Sequence, residues 1–467
     1  MEAYSNHTSL ATTLRQRRQR LTKLIDFPVI LWSGRSIARN FAANPYPFRA
    51  SSHFLYFAGL PLENAAIRLQ GTSLELFMDE AAANSKLWHG ETPTREEMAQ
   101  KIGADAVFNL SELQSHSDGA ATVAVQDVTT YWQQTQILNR PVSPADGPTG
   151  IDLDLAKAIA AVRLCHDAGA LLELRKAAAV TIEAHQAGMR ASQTRGLGTQ
   201  HPSEALVRSV MEGVIIAHNL SCAYGSIVTV HGQVLHNHHY QHPLQAGDLL
   251  LADVGAETEM GWAADITRTW PVSGKFSPTQ RDLYEIVLAA HDACIAKVRP
   301  GIEYLDIHLL AATVIAQGLV DLGILRGKAS DLVEMDAHAI FFPHGVGHLL
   351  GLDVHDMEDL GDLASYQKGR VRSLRFGLGF LRLHRPLQTG MLVTIEPGFY
   401  QVPAILHEPK LRSKYQDVVN WERLNQFADV RGIRIEDDVL VTQTGNEVLT
   451  AALPTKATVI EQFVNNH

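Results

Sequence analysis

The sequence predicts an α+β protein of two domains, a smaller α/β domain over residues 1–150 and a larger, strand-centred domain over 151–467. Three observations carry this expectation. The chain has 467 residues, enough for two separate cores. The stretch RPVSPADGPTG at 140–150 concentrates Pro, Gly, Ser and Asp and reads as a loop or linker. On either side of it the residue pattern differs: short strand-like and helical pieces alternate before it, whereas long helices and then a run of short strands follow.

In the first domain FPVILWSG, SLELFMD and AVFNL are apolar, β-branched or aromatic runs bounded by turn residues and are expected as strands, with EEMAQKIG as a helix between them. The basic segment LRQRRQRLTKLI at 14–25 has no apolar core region and no small-residue cleavage site, so it is expected as a surface helix with solvated charges rather than a targeting signal. From 151 to 191 the composition is almost continuously helix-forming, giving one or two long helices. YGSIVTV, QVLHN, DLLLADVGAE and GWAADITRTWPV then read as strands. A helix is expected to start at Ser277, with Pro278 in its first turn and Gln280 closing a capping box, and to end before Arg299-Pro300-Gly301. LVTIEPGFY and GIRIEDDVLVT are again strands. Neither a tandem repeat nor a low-complexity tract interrupts the chain.

The composition excludes several function classes. With 40 Lys and Arg against 50 Asp and Glu, the net charge is -10 and the pI near 6.1, so nucleic acid is not expected as a partner. Cys165, Cys222 and Cys294 are scattered and odd in number, which rules out a disulfide framework or a CxxC metal site and fits a reducing cytoplasm. Apolar runs such as LLLA at 249–252 are too short to span a bilayer, and no membrane association is expected.

Chemistry concentrates in FFPHGVGHLLGLDVHD, residues 341–356, with three histidines. His344 and His348 are four apart, as in a zinc-binding helix, but Gly345 stands where that motif needs Glu, and Pro343, Gly345 and Gly347 oppose a helix. The segment is therefore a strand or loop whose partners come from elsewhere. Four carboxylates lie in core-like surroundings: Asp253 after LLLA, Asp265 in WAADITRTW, Glu396 in LVTIEPG and Glu436 in GIRIEDDVLVT. A buried, unpaired carboxylate costs several kcal/mol and must be protonated, paired or bound to a cation. Arg434 and Glu436 would share a face of one strand, so a plain Arg/Glu pair is the simpler account of that position. Taken with the histidines, however, the set is hard and carboxylate-rich. It suits Mn²⁺ or Co²⁺ better than a structural zinc, and it holds more carboxylates than one divalent ion needs.

In their order along the chain, LADVGAE, ADITRTW, HGVGHLLGLDVHD, TIEPGFY and RIEDD resemble the pita-bread metallopeptidases, in the aminopeptidase P and prolidase branch that cuts Xaa-Pro bonds. NPYPFRASSHFLYFAGL is similar to that family's N-terminal domain. The resemblance implies a pita-bread catalytic domain holding two divalent ions, manganese first, with cobalt or zinc as alternatives. Their ligands would be Asp253, Asp265, His348, Glu396 and Glu436, with Asp265 and Glu436 bridging. It also implies that His344, His355, His236 and Arg434 handle substrate or support the ligands. Glu396 would carry a proton to the leaving proline nitrogen, and His344 or His236 would donate to the developing oxyanion. Proline-containing peptides are the implied substrates and a homo-oligomer the implied assembly. The sequence departs from the family in having Asp253 and Asp265 twelve positions apart, one more than the pattern, so the turn TEMG should absorb a residue if both carboxylates are to point inward. The segments 359–385 and 407–427 are longer than in shorter aminopeptidases P and would form pocket rim or oligomer contact. RSLRFGLGFLRLHRPLQTGM resembles the prolidase segment before the same glutamate and offers Arg375, Arg382 and Arg385 to a free substrate carboxylate. The primary expectation is thus a Xaa-Pro aminopeptidase, followed by a Xaa-Pro dipeptidase. A methionine aminopeptidase and a metal-free binding relative are disfavoured by the N-terminal domain and by the full ligand set.

Overall fold

The computed structural model of the chain describes residues 9–81, 84–193 and 202–465. The chain divides into two compact units. The first comprises the residues up to Leu172 together with 259–261 and 357–364, and the second comprises the remainder.

The first unit is built on a four-stranded sheet, β1 (Val29–Trp32), β2 (Ala66–Gln70), β3 (Ser73–Phe77) and β4 (Ala106–Phe108), in that order. Its pairs are antiparallel except β3 with β4. β2, AIRLQ, is a strand not expected from the sequence, its apolar run being interrupted by Arg68. Ile30, Trp32, Ala66, Phe77 and Leu113 form its core cluster. The helix Leu10–Leu21 is the expected surface helix, with Arg15 and Gln16 exposed, but not all of its charges are solvated, because Arg17 and Arg18 are buried. Arg17 donates to both oxygens of Asp167, at 2.8 and 3.0 Å, and to the carbonyl of Tyr56. A buried guanidinium is tolerated when its donors are matched in this way. The unit also runs past the expected boundary at 150. The helix Gly150–Arg163 belongs to it, and buried Asp152 accepts from the backbone N–H of Thr122 and from both terminal nitrogens of Arg140.

In the second unit the strands are short. β5 (Ser221–Cys222) pairs with β8 (Ala256–Glu257), and β6 (Ile227–Thr229), β7 (Leu249–Asp253) and β9 (Thr267–Pro271) form an antiparallel sheet in the order 6-7-9. β10 (Leu392–Ile395), β13 (Asp437–Val441) and β14 (Asn446–Val448) form another, and β11 (Gly398–Tyr400) pairs with β12 (Gly432–Arg434). QVLHN, expected as a strand, is irregular. LVTIEPGFY and GIRIEDDVLVT each break into two strands, at Glu396-Pro397 and at Ile435-Glu436. The breaks place Glu396 and Glu436 at strand ends, where the Glu396 N–H donates to the Val346 carbonyl and the Glu436 N–H to the Thr267 carbonyl. The helix Pro278–Lys297 has the predicted capping box between Ser277 and Gln280.

Among the described residues one helix, Tyr304–Asp321, is long and apolar enough by composition to cross a bilayer. Its Tyr304, Ile307, Ala311, Ala312, Ile315 and Leu319 are fully buried, which is the burial pattern of a core helix.

The segment 341–356 contains neither helix nor regular strand. It runs beside β10 instead. The Thr394 N–H donates to the His348 carbonyl, the Glu396 N–H to the Val346 carbonyl and the Leu350 N–H to the Leu392 carbonyl. Gly347 makes this approach possible. Its φ is 152°, and a Cβ there would lie 2.2 Å from the Thr394 carbonyl oxygen.

Candidate active site

A cavity of about 380 Å³ in the second unit is lined by Asp253, Asp265, His348, Glu396 and Glu436, and also by His236, His344, His355, Arg382 and Arg434. Residues separated by two hundred positions in the chain thus meet at one place. Leu235, Pro343, Phe380, Val402 and Ile405 supply the apolar part of the wall.

Each polar side chain is held from behind. Asp253 ends β7, in register with Ile227 of β6 and Thr267 of β9. Asp265 lies two residues before β9, and the chain between the two aspartates turns through Glu259 and Met260. Both carboxylates face the cavity, and the Tyr224 hydroxyl lies 2.6 Å from Asp253 Oδ1 and 2.5 Å from Asp265 Oδ1. Tyr224 was not recognised from the sequence. Its segment CAYGS carries no charge, and the pairings of β5 with β8 before it and of β6 with β7 after it bring the ring to the aspartates.

His348 has a defined tautomer. Its Nδ1 is 2.9 Å from the carbonyl of Leu349, and a carbonyl only accepts, so Nδ1 carries the proton. Nε2 is therefore the basic nitrogen, and it faces Asp265 at 3.5 Å and Glu396 at 3.8 Å. The same logic takes His344 out of the donor role. Its Nδ1 donates to the Gly345 carbonyl at 2.7 Å, and Nε2 accepts from the Tyr400 hydroxyl at 2.9 Å. His355 packs edge-on to His348 with ring centroids 4.4 Å apart. Arg434, buried, donates to Asp253 Oδ2 at 2.5 Å, to the Tyr400 oxygen and to Thr267 Oγ1. Thr267 Oγ1 in turn donates to Glu436 Oε2 at 2.6 Å.

Arg375 is placed elsewhere. Its Nη2 lies 2.8 Å from Asp336 Oδ1 and donates also to the Glu334 carbonyl, so its charge is already matched and it does not line the cavity. Of the long segments, 359–385 brings Phe380 and Arg382 to the cavity, whereas 407–427 supplies none of the lining. The latter forms the short helices Pro409–Lys414 and Trp421–Leu424, with Arg412 stacked 4.0 Å over Trp421.

The electrostatics of the cavity call for a cation. Burial, and then repulsion from Asp253, push the Asp265 carboxyl well above its ordinary range, and burial with repulsion from Asp265 and Glu396 does the same to Glu436. Glu396 rises to about 7, chiefly from burial, although His348 and Arg434 pull it down. Among the described residues, Glu436 Oε1 is buried and has no hydrogen-bond partner. Ligand atoms of Asp265, His348 and Glu436 lie within 4.8 Å of one another. An oxygen-rich set with one imidazole, an orphan carboxylate oxygen and unrelieved repulsion fits divalent metal.

Comparison with known proteins agrees with this geometry. Residues 173–443 match the model of metallopeptidase family M24, and residues 14–127 match that of the aminopeptidase P N-terminal domain. A probable Xaa-Pro aminopeptidase of Verticillium alfalfae is 32% identical over 432 residues, covering 91% of this chain and 89% of the relative. The Xaa-Pro aminopeptidase of Haemophilus influenzae is 30% identical over 435 residues, covering 90% and 89%. Among solved structures, zinc-substituted Escherichia coli aminopeptidase P in complex with product superposes with a TM-score of 0.78 at 27% identity, over 98% of this chain and 99% of that one. Pseudomonas aeruginosa aminopeptidase PepP gives 0.78 at 27% identity over 97% of both. The M24 match spans more than half of the chain and holds every carboxylate of the cavity, so this chain belongs to metallopeptidase family M24 and carries in front of its catalytic unit a domain of the aminopeptidase P type.

Proposed function

We propose that the chain is a Xaa-Pro aminopeptidase with two divalent ions, hydrolysing the bond between an N-terminal residue and a following proline. One observation supports this above the others: Asp253, Asp265, His348, Glu396 and Glu436 line a single cavity, in a chain whose relatives over nine-tenths of its length are named for that activity. Those five residues would hold the ions, and the carboxylate-rich set favours manganese. When bound, the ions would polarise the scissile carbonyl and lower the pKa of water so that a nucleophile exists near neutral pH.

The chain's own groups do the rest. Glu396, a carboxylate in the cavity lining, takes a proton from the attacking water and passes it to the proline nitrogen as that bond breaks. His236 is the donor toward the developing oxyanion, because both ring nitrogens of His344 are engaged. Arg434 holds Asp253 in place by a hydrogen bond to its Oδ2. His355 packs against His348 and restrains its ring.

A second reading is the Xaa-Pro dipeptidase, favoured by Arg382 in the cavity lining: a guanidinium there is suited to the free carboxylate of a C-terminal proline. Matched Xaa-Pro dipeptides and Xaa-Pro-Yaa tripeptides, assayed with Mn²⁺, separate the two. Tripeptide cleavage at a kcat/KM equal to or above that for dipeptides is expected, and cleavage of dipeptides alone would transfer the assignment to the dipeptidase. Prolonged dialysis against EDTA should abolish turnover, with Mn²⁺ or Co²⁺ restoring it better than Mg²⁺.

A further inference from the structure

The segment His231–His242 leaves the end of β6 and contains no helix or strand, yet it supplies Leu235 and His236 to the cavity. A twelve-residue loop without internal secondary structure needs other restraints to hold a side chain to within the tolerance that catalysis requires. The restraint is found at its base. Glu204, the first residue of the helix Glu204–Ala217, is fully buried and does not line the cavity. Its Oε1 accepts from the Thr229 hydroxyl at 3.0 Å and the Val230 N–H at 2.9 Å, where the segment begins. Its Oε2 accepts from the His242 N–H at 3.1 Å and from His242 Nδ1 at 2.8 Å, where the segment ends.

One carboxylate therefore closes the loop with all of its lone-pair sites in use. The Thr229 hydroxyl has a single proton and gives it to Glu204, which leaves its lone pairs to accept from the side-chain amide of Asn237 and the His231 N–H, both at 2.9 Å. Asn237 is buried and adjoins His236, and its own Oδ1 accepts from the His239 N–H. The sequence of contacts runs without a gap from Glu204 through Thr229 and Asn237 to the residue next to His236. Gly232, in the same loop, sits against β12, where a Cβ would come 2.9 Å from the Gly432 carbonyl oxygen, so the loop is seated on the strand that carries Arg434.

We infer that Glu204 is a positioning residue for His236: it acts on the reaction only by holding the 231–242 loop. This rests on the role given to His236 above. A glutamine at 204 keeps the shape but can accept on only one side, so its amide N–H groups would meet donors on the other.

The test is a double-mutant cycle on the full chain with Mn²⁺ and a Xaa-Pro tripeptide, comparing wild type, Glu204→Gln, His236→Ala and the double variant. Glu204→Gln should lower kcat/KM by about tenfold to a hundredfold, mostly in kcat. In the His236→Ala background the same change should cost less than about twofold. Equal losses in both backgrounds, or no loss in either, would overturn the inference. His242→Ala removes one of the four bonds at a partly exposed ring and should show the same background dependence, so it carries the test if Glu204→Gln does not fold. Hydrogen exchange supplies a readout that needs no substrate: amides of 231–242 should exchange faster in either variant while the rest of the chain keeps its protection. Unchanged protection of that segment would also overturn the inference. A wild type that cuts no Xaa-Pro bond would instead refute the assigned reaction, and exchange would still decide whether Glu204 holds the loop.

Discussion

Glu396 is the residue on which burial and chemistry act together. Burial lifts its carboxyl to about 7, and Gln is nearly isosteric, so Glu396→Gln should leave the fold intact while lowering kcat by about 10²–10⁴-fold. Near-normal kcat in a variant with wild-type circular dichroism would remove Glu396 from proton transfer. His348 and His355 touch each other but differ in what they face: Nε2 of His348 looks toward two carboxylates, whereas His355 packs edge-on against that ring. His348→Ala should therefore lose metal as well as rate, and His355→Ala should lose rate with most of its metal kept. Atomic absorption on the two purified variants checks this, and equal metal loss would mean that both are ligands. Arg382→Ala should raise KM for dipeptides selectively if its guanidinium holds a terminal carboxylate, and should change both substrate classes alike if it does not.

At the level of elements, stability at the site depends on close backbone approach more than on regular hydrogen-bond ladders. Gly347→Ala would place a methyl 2.2 Å from the Thr394 carbonyl oxygen and 2.3 Å from the Tyr304 hydroxyl, both in buried surroundings. Separation of the His348 segment from β10, at a cost of about 3 kcal/mol, is the expected result, seen as a lower denaturation midpoint together with lost metal. By contrast Ser277→Ala, which removes one half of a capping box outside the cavity lining, should cost about 1 kcal/mol and leave kcat unchanged. The 365–385 segment is held by two arginine-carboxylate pairs, Arg370 with Glu303 and Arg375 with Asp336. These pairs explain how a stretch with little regular structure keeps Phe380 and Arg382 at the cavity.

For the molecule as a whole, acid sensitivity should come from buried neutral histidines as well as from metal release. Burial lowers His185 and His338 to about 4 and His308 to about 3, from an ordinary value of 6.5. Below 6.5 the unfolded chain binds protons that the folded chain does not, so stability falls as pH drops from about 6.5 toward 4, by about 1.4 kcal/mol per pH unit for each such group. His291 does not add to this loss. Burial disfavours its charge, but the hydrogen bonds it donates to Asp292 and Asp437 raise its pKa, so it is protonated in both states in that range. In the metal-free protein the raised carboxyls of Asp265, Glu396 and Glu436 take up protons on folding and oppose this loss. The histidine part is therefore read by denaturant unfolding of wild type against His308→Leu at pH 7.5, 6 and 5. The variant should lose less stability than wild type on acidification, and equal pH dependence of the two would contradict it.

Local chemistry was enough to read much of this protein from its residues. Ser277, Pro278 and Gln280 act within one helical turn, and a carboxylate set in an apolar run announces an unmet electrostatic cost wherever the chain folds, so the helix start and Asp253, Asp265, Glu396 and Glu436 were legible. The same residues carried the family resemblance, which the comparisons bear out. What needed the tertiary structure were contacts between segments distant in the sequence. Arg17 reads as a solvated charge until Asp167 arrives 150 positions later, Arg375 reads like Arg382 until Asp336 takes it, and Tyr224 has no mark at all before β6 lies beside β7. Whether His344 could donate was likewise undecided by its neighbours in the chain, because Tyr400, which occupies its Nε2, is brought there by β11. The physical reason is common to these cases: a charge or a ring nitrogen shows in sequence what it needs, but which group meets the need is set by strand pairing and loop closure over long separations.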